Sequence, residues 1–174
     1  MTLAALLLLA LVAAAGLLLT GLGERRRPVW GAVLLGGLLA VAGVAAWVAG
    51  PASQGIAEGA VVAAVLAAVT AGSPVATAVL SVADPTAAGV RGGPGDPDVL
   101  RGGAWIGALE RAAVAGTLLA GWPEGLAVVL AVKGLGRYNE LRETPAASER
   151  FILGTLASAL WAAACVGVAV LTRF

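Results

Sequence analysis

The chain has 174 residues, 60% of them hydrophobic and only 12% charged, with a formal net charge of +1 and a mean hydropathy of +0.96. In water such a chain would expose apolar surface on every side, which excludes a soluble globular domain and leaves a polytopic membrane protein. At about 20 residues per bilayer crossing the apolar runs fill most of the length, leaving no room for a separate soluble domain, and the near-neutral charge gives no general attraction to nucleic acid.

The expected fold is all-α, a transmembrane helix bundle of about six crossings. Thr2 to Leu22 is the first apolar run, closed by "GERRRP". It lacks a positive leading segment and is stopped by arginines on its far side, so it reads as a retained helix and not a secretory signal. Val29 to Gly50 is the second run, ended by "GPASQG". The third runs from Ile56 to Ala83 and contains Pro74, which removes one backbone hydrogen bond and predicts a single kinked helix or, as the alternative, two half-helices. Residues 1–83 thus hold three crossings.

Residues 84–103, "DPTAAGVRGGPGDPDVLRGG", have loop chemistry, with glycine, proline and aspartate throughout. This stretch reads as a flexible connector or a docking segment. Residues 104–174 hold three more crossings: Ala104 to Trp122, Gly125 to Arg137 after the turn "WPEG", and Phe151 to Leu171. The fifth is short in apolar residues, and it is expected to continue as helix into the Arg137 to Arg142 region.

Lysine and arginine concentrate in cytoplasmic loops. With six crossings, Arg25, Arg26 and Arg27 share a side with Arg91, Arg101, Arg137, Arg142 and Arg150, whereas Arg173 lies opposite. Both termini are therefore expected outside, with the basic loops in the cytoplasm of a multi-pass cell-membrane protein. Trp30, Trp47, Trp105, Trp122 and Tyr138 fall near segment ends, as interfacial belt residues do. Trp161 is mid-helix and reads as packing.

The absence of histidine removes histidine-ligated metal, haem and general-base chemistry. Cys165 stands in "WAAACVGV", where a thiol behaves as a small inert hydrophobe. No phosphate-binding loop, metal motif or nucleic-acid signature is present, and no cofactor is expected. Small residues at spacing four predict close-packing faces at Ala32, Gly36 and Ala40, at Ala112, Gly116 and Ala120, and at Gly154, Ser158 and Ala162. In a chain this rich in alanine and glycine, such spacing also arises by chance.

The chemistry concentrates in the last three segments. Glu110 and Arg111 lie inside the fourth, Glu110 about 9 Å from its start at 1.5 Å per residue. Lys133 and Arg137 are four apart near the end of the fifth, and Glu149, Thr155 and Ser158 lie on the sixth. Intramembrane charges are costly and mark a functional site with a partner to be named. The expected partners are Glu110 with Lys133 or Arg137, and Arg111 with Glu149 or Glu140. Adjacent helical positions point about 100° apart, so Glu110 and Arg111 are expected to clamp two different neighbours. The plain alternatives are a structural ion-pair lock at Glu110 and Arg111, and lysine and arginine stems snorkelling to lipid headgroups. Glu58, near the start of the third helix, reads as a carboxylate favoured by the helix dipole.

The runs "LRGGAWIGALER", "AVKGLGRYNEL" and "ERFILGTLAS" resemble the C-terminal half of an uncharacterised family of bacterial polytopic membrane proteins. The resemblance covers about residues 100–174. It rests on Ile106, Gly107, Leu109, Glu110 and Arg111, on Ala131, Lys133, Arg137 and Tyr138, and on Glu149, Phe151, Gly154, Thr155, Leu156 and Ser158. Gly134 replaces a more usual serine and Pro123 a glutamine. The resemblance implies a membrane bundle and brings no activity.

Two functions follow as expectations. In the first, a non-enzymatic protein uses Glu110, Arg111, Lys133, Arg137, Tyr138, Glu149, Thr155 and Ser158 as a polar pocket open to the cytoplasm. That pocket binds an anionic group, such as a lipid headgroup or small anion, or docks a membrane partner subunit or a second copy. In the second, the chain is a small ion- or proton-coupled transporter or channel using Glu110. An intramembrane enzyme pairing Ser158 with Lys133 ranks behind both, because serine has no histidine to activate it.

Overall fold

The computed structural model describes residues 2–21, 28–83, 103–138, 142 and 145–174. Among them are six helices and no strand: α1 (Thr2–Gly21), α2 (Pro28–Ala49), α3 (Gln54–Ala83), α4 (Gly103–Leu119), α5 (Gly125–Gly136) and α6 (Pro145–Leu171). The protein is an all-α bundle. Four segments are long and apolar enough to cross a membrane: Thr2–Gly21, Val29–Ala49, Gln54–Ala83 and Ser148–Leu171. The loop read over 84–103 lies almost wholly outside the described residues.

α3 is the centre of the bundle, packed against α1, α2, α4 and α6. Its buried face is Ala60, Ala63, Ala64, Ala67, Ala68, Ala71 and Gly72, side chains so small that neighbouring backbones come close. Against lipid there is no hydrophobic drive to associate, so this proximity and its van der Waals contact hold the helices together. One such approach is at Gly16, where an added Cβ would stand 2.6 Å from the Ala71 Cα. Beside it, Thr70 Oγ1 donates to Ala13 O of α1 at 2.9 Å.

α3 runs unbroken through Pro74, so it is one helix and not two halves. Proline has no N–H to give the Thr70 carbonyl, and the packed neighbours carry the helix across the gap.

α1 lies parallel to α3, because Leu6 covers Gly59 while Gly16 abuts Ala71. α6 runs antiparallel to α3: Gly154 faces Leu80, whereas the Trp161 indole, seven residues on, donates to Ala67 O at 3.2 Å. Ala52 N donates to Thr172 O at 2.9 Å, tying the α2–α3 connection to the end of α6.

α4 and α5 form a tight hairpin. Gly121 takes φ +69°, a left-handed backbone that only glycine adopts without strain. Its N–H bonds Leu118 O while Trp122 N–H bonds Thr117 O, the paired bonds of a Schellman cap. α5 stops at Gly136 and does not include Arg137, although Tyr138 and Arg142, within the stretch expected to be helical, are helical. Gly134 and Gly136 weaken its last turn, and Arg137, at φ −117° and ψ 12°, caps it with its N–H on Gly134 O. Asn139, Glu140 and Leu141 lie outside the described residues.

The small-residue faces divide. Gly154 packs on Leu80, and Ser158 and Ala162 are buried, so the α6 face is an interface. Among the described residues the other two are not. Gly36 and Gly116 have nothing within 4 Å of an added Cβ, and Ala40 and Ala120 are exposed. α2 instead buries Leu35, Leu39, Ala42 and Ala46, and α4 buries Arg111, Val114 and Ala115.

Candidate functional site

Glu110 and Arg111 clamp two different neighbours. Glu110 points to the peripheral α5, where its Oε2 lies 2.5 Å from Lys133 Nζ, with the two side chains 17% and 21% exposed. Lys133 Nζ also stands 5.8 Å from the centre of the Phe151 ring, so one ammonium links α4, α5 and α6. Of the two partners expected for Glu110, the structure selects Lys133.

Arg111 turns the other way, into α3. It is 7% exposed, and its Nε donates to Val69 O at 3.0 Å. This corrects the expected pairing with Glu149, whose residue is exposed; Glu140 lies outside the described residues. The sequence suggested a carboxylate because carboxylates are visible as letters. A backbone carbonyl is not, and the acceptor depends on which face of α4 meets α3.

Two glycines make the room. An added Cβ at Gly72 would overlap Arg111 Cδ and stand 3.3 Å from Trp161 Cδ1, so arginine and tryptophan meet over a bare stretch of α3. Helical side chains lean towards the helix start. Arg111 accordingly reaches back over Gly107, where an added Cβ would stand 3.1 Å from Nη1. The Ile106–Gly107 step, noted above only as part of a resemblance, thus has a physical reason. Gly72, Gly107 and the Val69 carbonyl were missed as site components; the signal that could have found Gly107 is its position one turn before a buried arginine.

Thr155 and Ser158 lie on the buried face of α6, 8% and 7% exposed, in successive turns leading up to Trp161. Thr155 Oγ1 is buried with no hydrogen-bond partner. Arg137, Tyr138 and Glu149 are exposed. The eight expected residues therefore separate into a buried group (Arg111, Thr155, Ser158), a half-buried pair (Glu110, Lys133) and an exposed set (Arg137, Tyr138, Glu149). Among the described residues, no group of three or more metal-ligating side chains occurs.

The Glu110–Lys133 pair gives a direct prediction. A double-mutant cycle with Glu110→Gln and Lys133→Met, read by reversible unfolding in bicelles, is expected to return a coupling of about 1–2 kcal/mol. Removing one partner strands the other charge, so the double variant should be more stable than the two single losses sum to. Additive losses would mean that the pair contributes nothing.

No family model, curated protein or solved structure matches the chain. Function is therefore argued from its own geometry.

Proposed function

We propose that the protein is a small, non-enzymatic multi-pass membrane protein that binds an anionic group in the cytoplasmic leaflet, at the buried polar centre between α3, α4 and α6. The observation that carries this reading is a buried guanidinium on α4 that gives one donor to the α3 backbone, in a bundle whose α6 also buries a hydroxyl without a partner at Thr155. A guanidinium carries five N–H donors, and the bond to Val69 O uses one. Donors from two helices in a place of low dielectric suit an anion.

Six crossings with both termini outside fit this placement. α4, at 17 residues, is shorter than the four long spans, yet it repeats the boundary pattern of α2. Exposed Trp30 and Trp47 stand 17 positions apart at the two ends of α2, about 25 Å along a helix, and exposed Trp105 and Trp122 stand 17 apart at the ends of the α4 region. Tryptophans so placed match the two interfaces of a bilayer. Arg111, six residues from Trp105, then lies about 9 Å below one interface, on the side that receives the arginine-rich connections.

The transporter reading is weakened by where Glu110 points. It faces peripheral α5 and is held by Lys133, away from the α3-centred core. The same pair occupies the amine that a Ser158 nucleophile would need.

Native mass spectrometry of protein extracted gently from its membrane tests the proposal. Wild type and Glu110→Gln should retain an anionic mass that Arg111→Leu loses. A bare wild type, or a folded Arg111→Leu that keeps the mass, would overturn it.

A further inference from the structure

A groove along the seam of α1 and α3 encloses about 560 Å³, the size of a small-molecule site. We propose that it holds one acyl chain of a phospholipid whose headgroup carries a primary amine, with the ammonium on Glu58. Ala13, Gly59 and Ala63 form the more buried floor, and exposed Val62 and Leu66 of α3 stand along the rim. On the α1 side the rim residues Ala10 and Ala14 are too small to close it. Thr70, at the inner end, spends its hydroxyl on Ala13 O and Leu66 O. The lining therefore offers hydrocarbon, and it opens sideways to lipid.

The length of the groove suits a lipid chain and not a helix. From Gly59 to Thr70 it covers eleven positions of α3, about 16 Å at 1.5 Å per residue, and half of a bilayer's hydrocarbon core is about 15 Å. Its inner end is shut one residue beyond Thr70, where Gly16 meets the backbone of Ala71. A helix of a second copy would follow a seam through both leaflets. This seam closes after one.

The polar end has the matching chemistry. Glu58 adjoins Gly59 and stands one turn before Val62, so it tops the same wall at the spacing of four that continues to Leu66. Gln54, one turn earlier, donates its Nε2 to Glu58 Oε1 at 3.0 Å. That bond orients the carboxylate and leaves its second oxygen to a headgroup. Gln54, Glu58, Val62 and Leu66 thus run from polar to apolar along one row, in the order of head and tail in a lipid. A primary ammonium donates hydrogen bonds to the carboxylate, a quaternary amine has no N–H to give, and an anionic headgroup is repelled. The site lies between α1 and α3, whereas Arg111 rests between α3 and α4.

The test is native mass spectrometry of the full, delipidated protein in detergent, titrated with phosphatidylethanolamine, phosphatidylcholine and phosphatidylglycerol of the same acyl chains. Wild type should bind the ethanolamine lipid about three- to fivefold tighter than the other two, the effect of one exposed ion pair. The same comparison in Arg111→Leu should give the same ethanolamine binding, and it removes any phosphatidylglycerol held at the anion site. Glu58→Gln should bind all three lipids alike. Joint Ala10→Leu and Ala14→Leu substitution fills the groove from exposed positions, so it should keep the melting temperature of the lipid-free protein and lose most of the ethanolamine lipid. Equal binding of the three lipids by wild type would overturn the proposal, as would a preference that survives Glu58→Gln or lipid binding unchanged by the filled groove. A dimer that the filled groove abolishes would also overturn it, because the occupant would then be a second copy.

Discussion

Replacing Gly72 with alanine is expected to destabilise the bundle by about 2 kcal/mol, although alanine is the better helix former by up to about 1 kcal/mol. The new Cβ would fall on Arg111 Cδ, 2.8 Å from Nε and 3.3 Å from Trp161 Cδ1. Trp161 is held by its own bond to Ala67 O, so the arginine must yield. Leaving its place, it loses the bond to Val69 O, and a hydrogen bond to a charged donor contributes about 1.5–3 kcal/mol. The rescue is specific. In an Arg111→Ala background the same Gly72→Ala change should be neutral or stabilising, because nothing else stands as near. Equal stability of Gly72→Ala and wild type in bicelles would show that the guanidinium does not rest on α3.

Much of this was legible in the letters. Thr2 to Gly21 and Val29 to Ala49 are set by apolar runs that end in arginines or in glycine and proline, and both helices lie where those signals put them. Trp161 was read as packing and is buried; the five aromatics at segment ends are exposed, as belt residues should be. The divergence of Glu110 and Arg111 followed from 100° per residue alone. Lys133 as a partner for Glu110 followed from depth along antiparallel segments.

What stayed hidden depends on helix rotation and on the backbone. α3 carries alanine or glycine on nearly every side, so its sequence does not say which face receives which neighbour. The Arg111 acceptor is a carbonyl that every residue possesses. The end of α5 turned on glycines at 134 and 136, where a pattern of apolar residues still read as helix. The spacing-four rule failed at Gly36 and Gly116 for the same reason that it missed Gly16: in this chain small residues are too common for their spacing to carry information.

Gly16→Val supplies the sharpest measure of that point, with an expected loss of about 3 kcal/mol or more. Its Cβ would meet the Cα, Cβ and N of Ala71 at 2.6–2.7 Å. These are backbone and near-backbone atoms, which no rotamer change can move aside. α1 must therefore lift from α3 along its length. Lifting also breaks the bond from Thr70 Oγ1 to Ala13 O one turn away and opens the contacts of buried Leu9 and Val12. The opposite result is expected at Gly36→Ala and Gly116→Ala, where nothing lies within 4 Å and the gain in helix propensity should leave stability unchanged or raised by up to about 1 kcal/mol. All three glycines sit in helices of similar composition, so composition assigns them one behaviour and the packing assigns them two. A Gly16→Val variant as stable as the controls would mean that α1 and α3 are not in backbone contact, and the central position of α3 would fall with it.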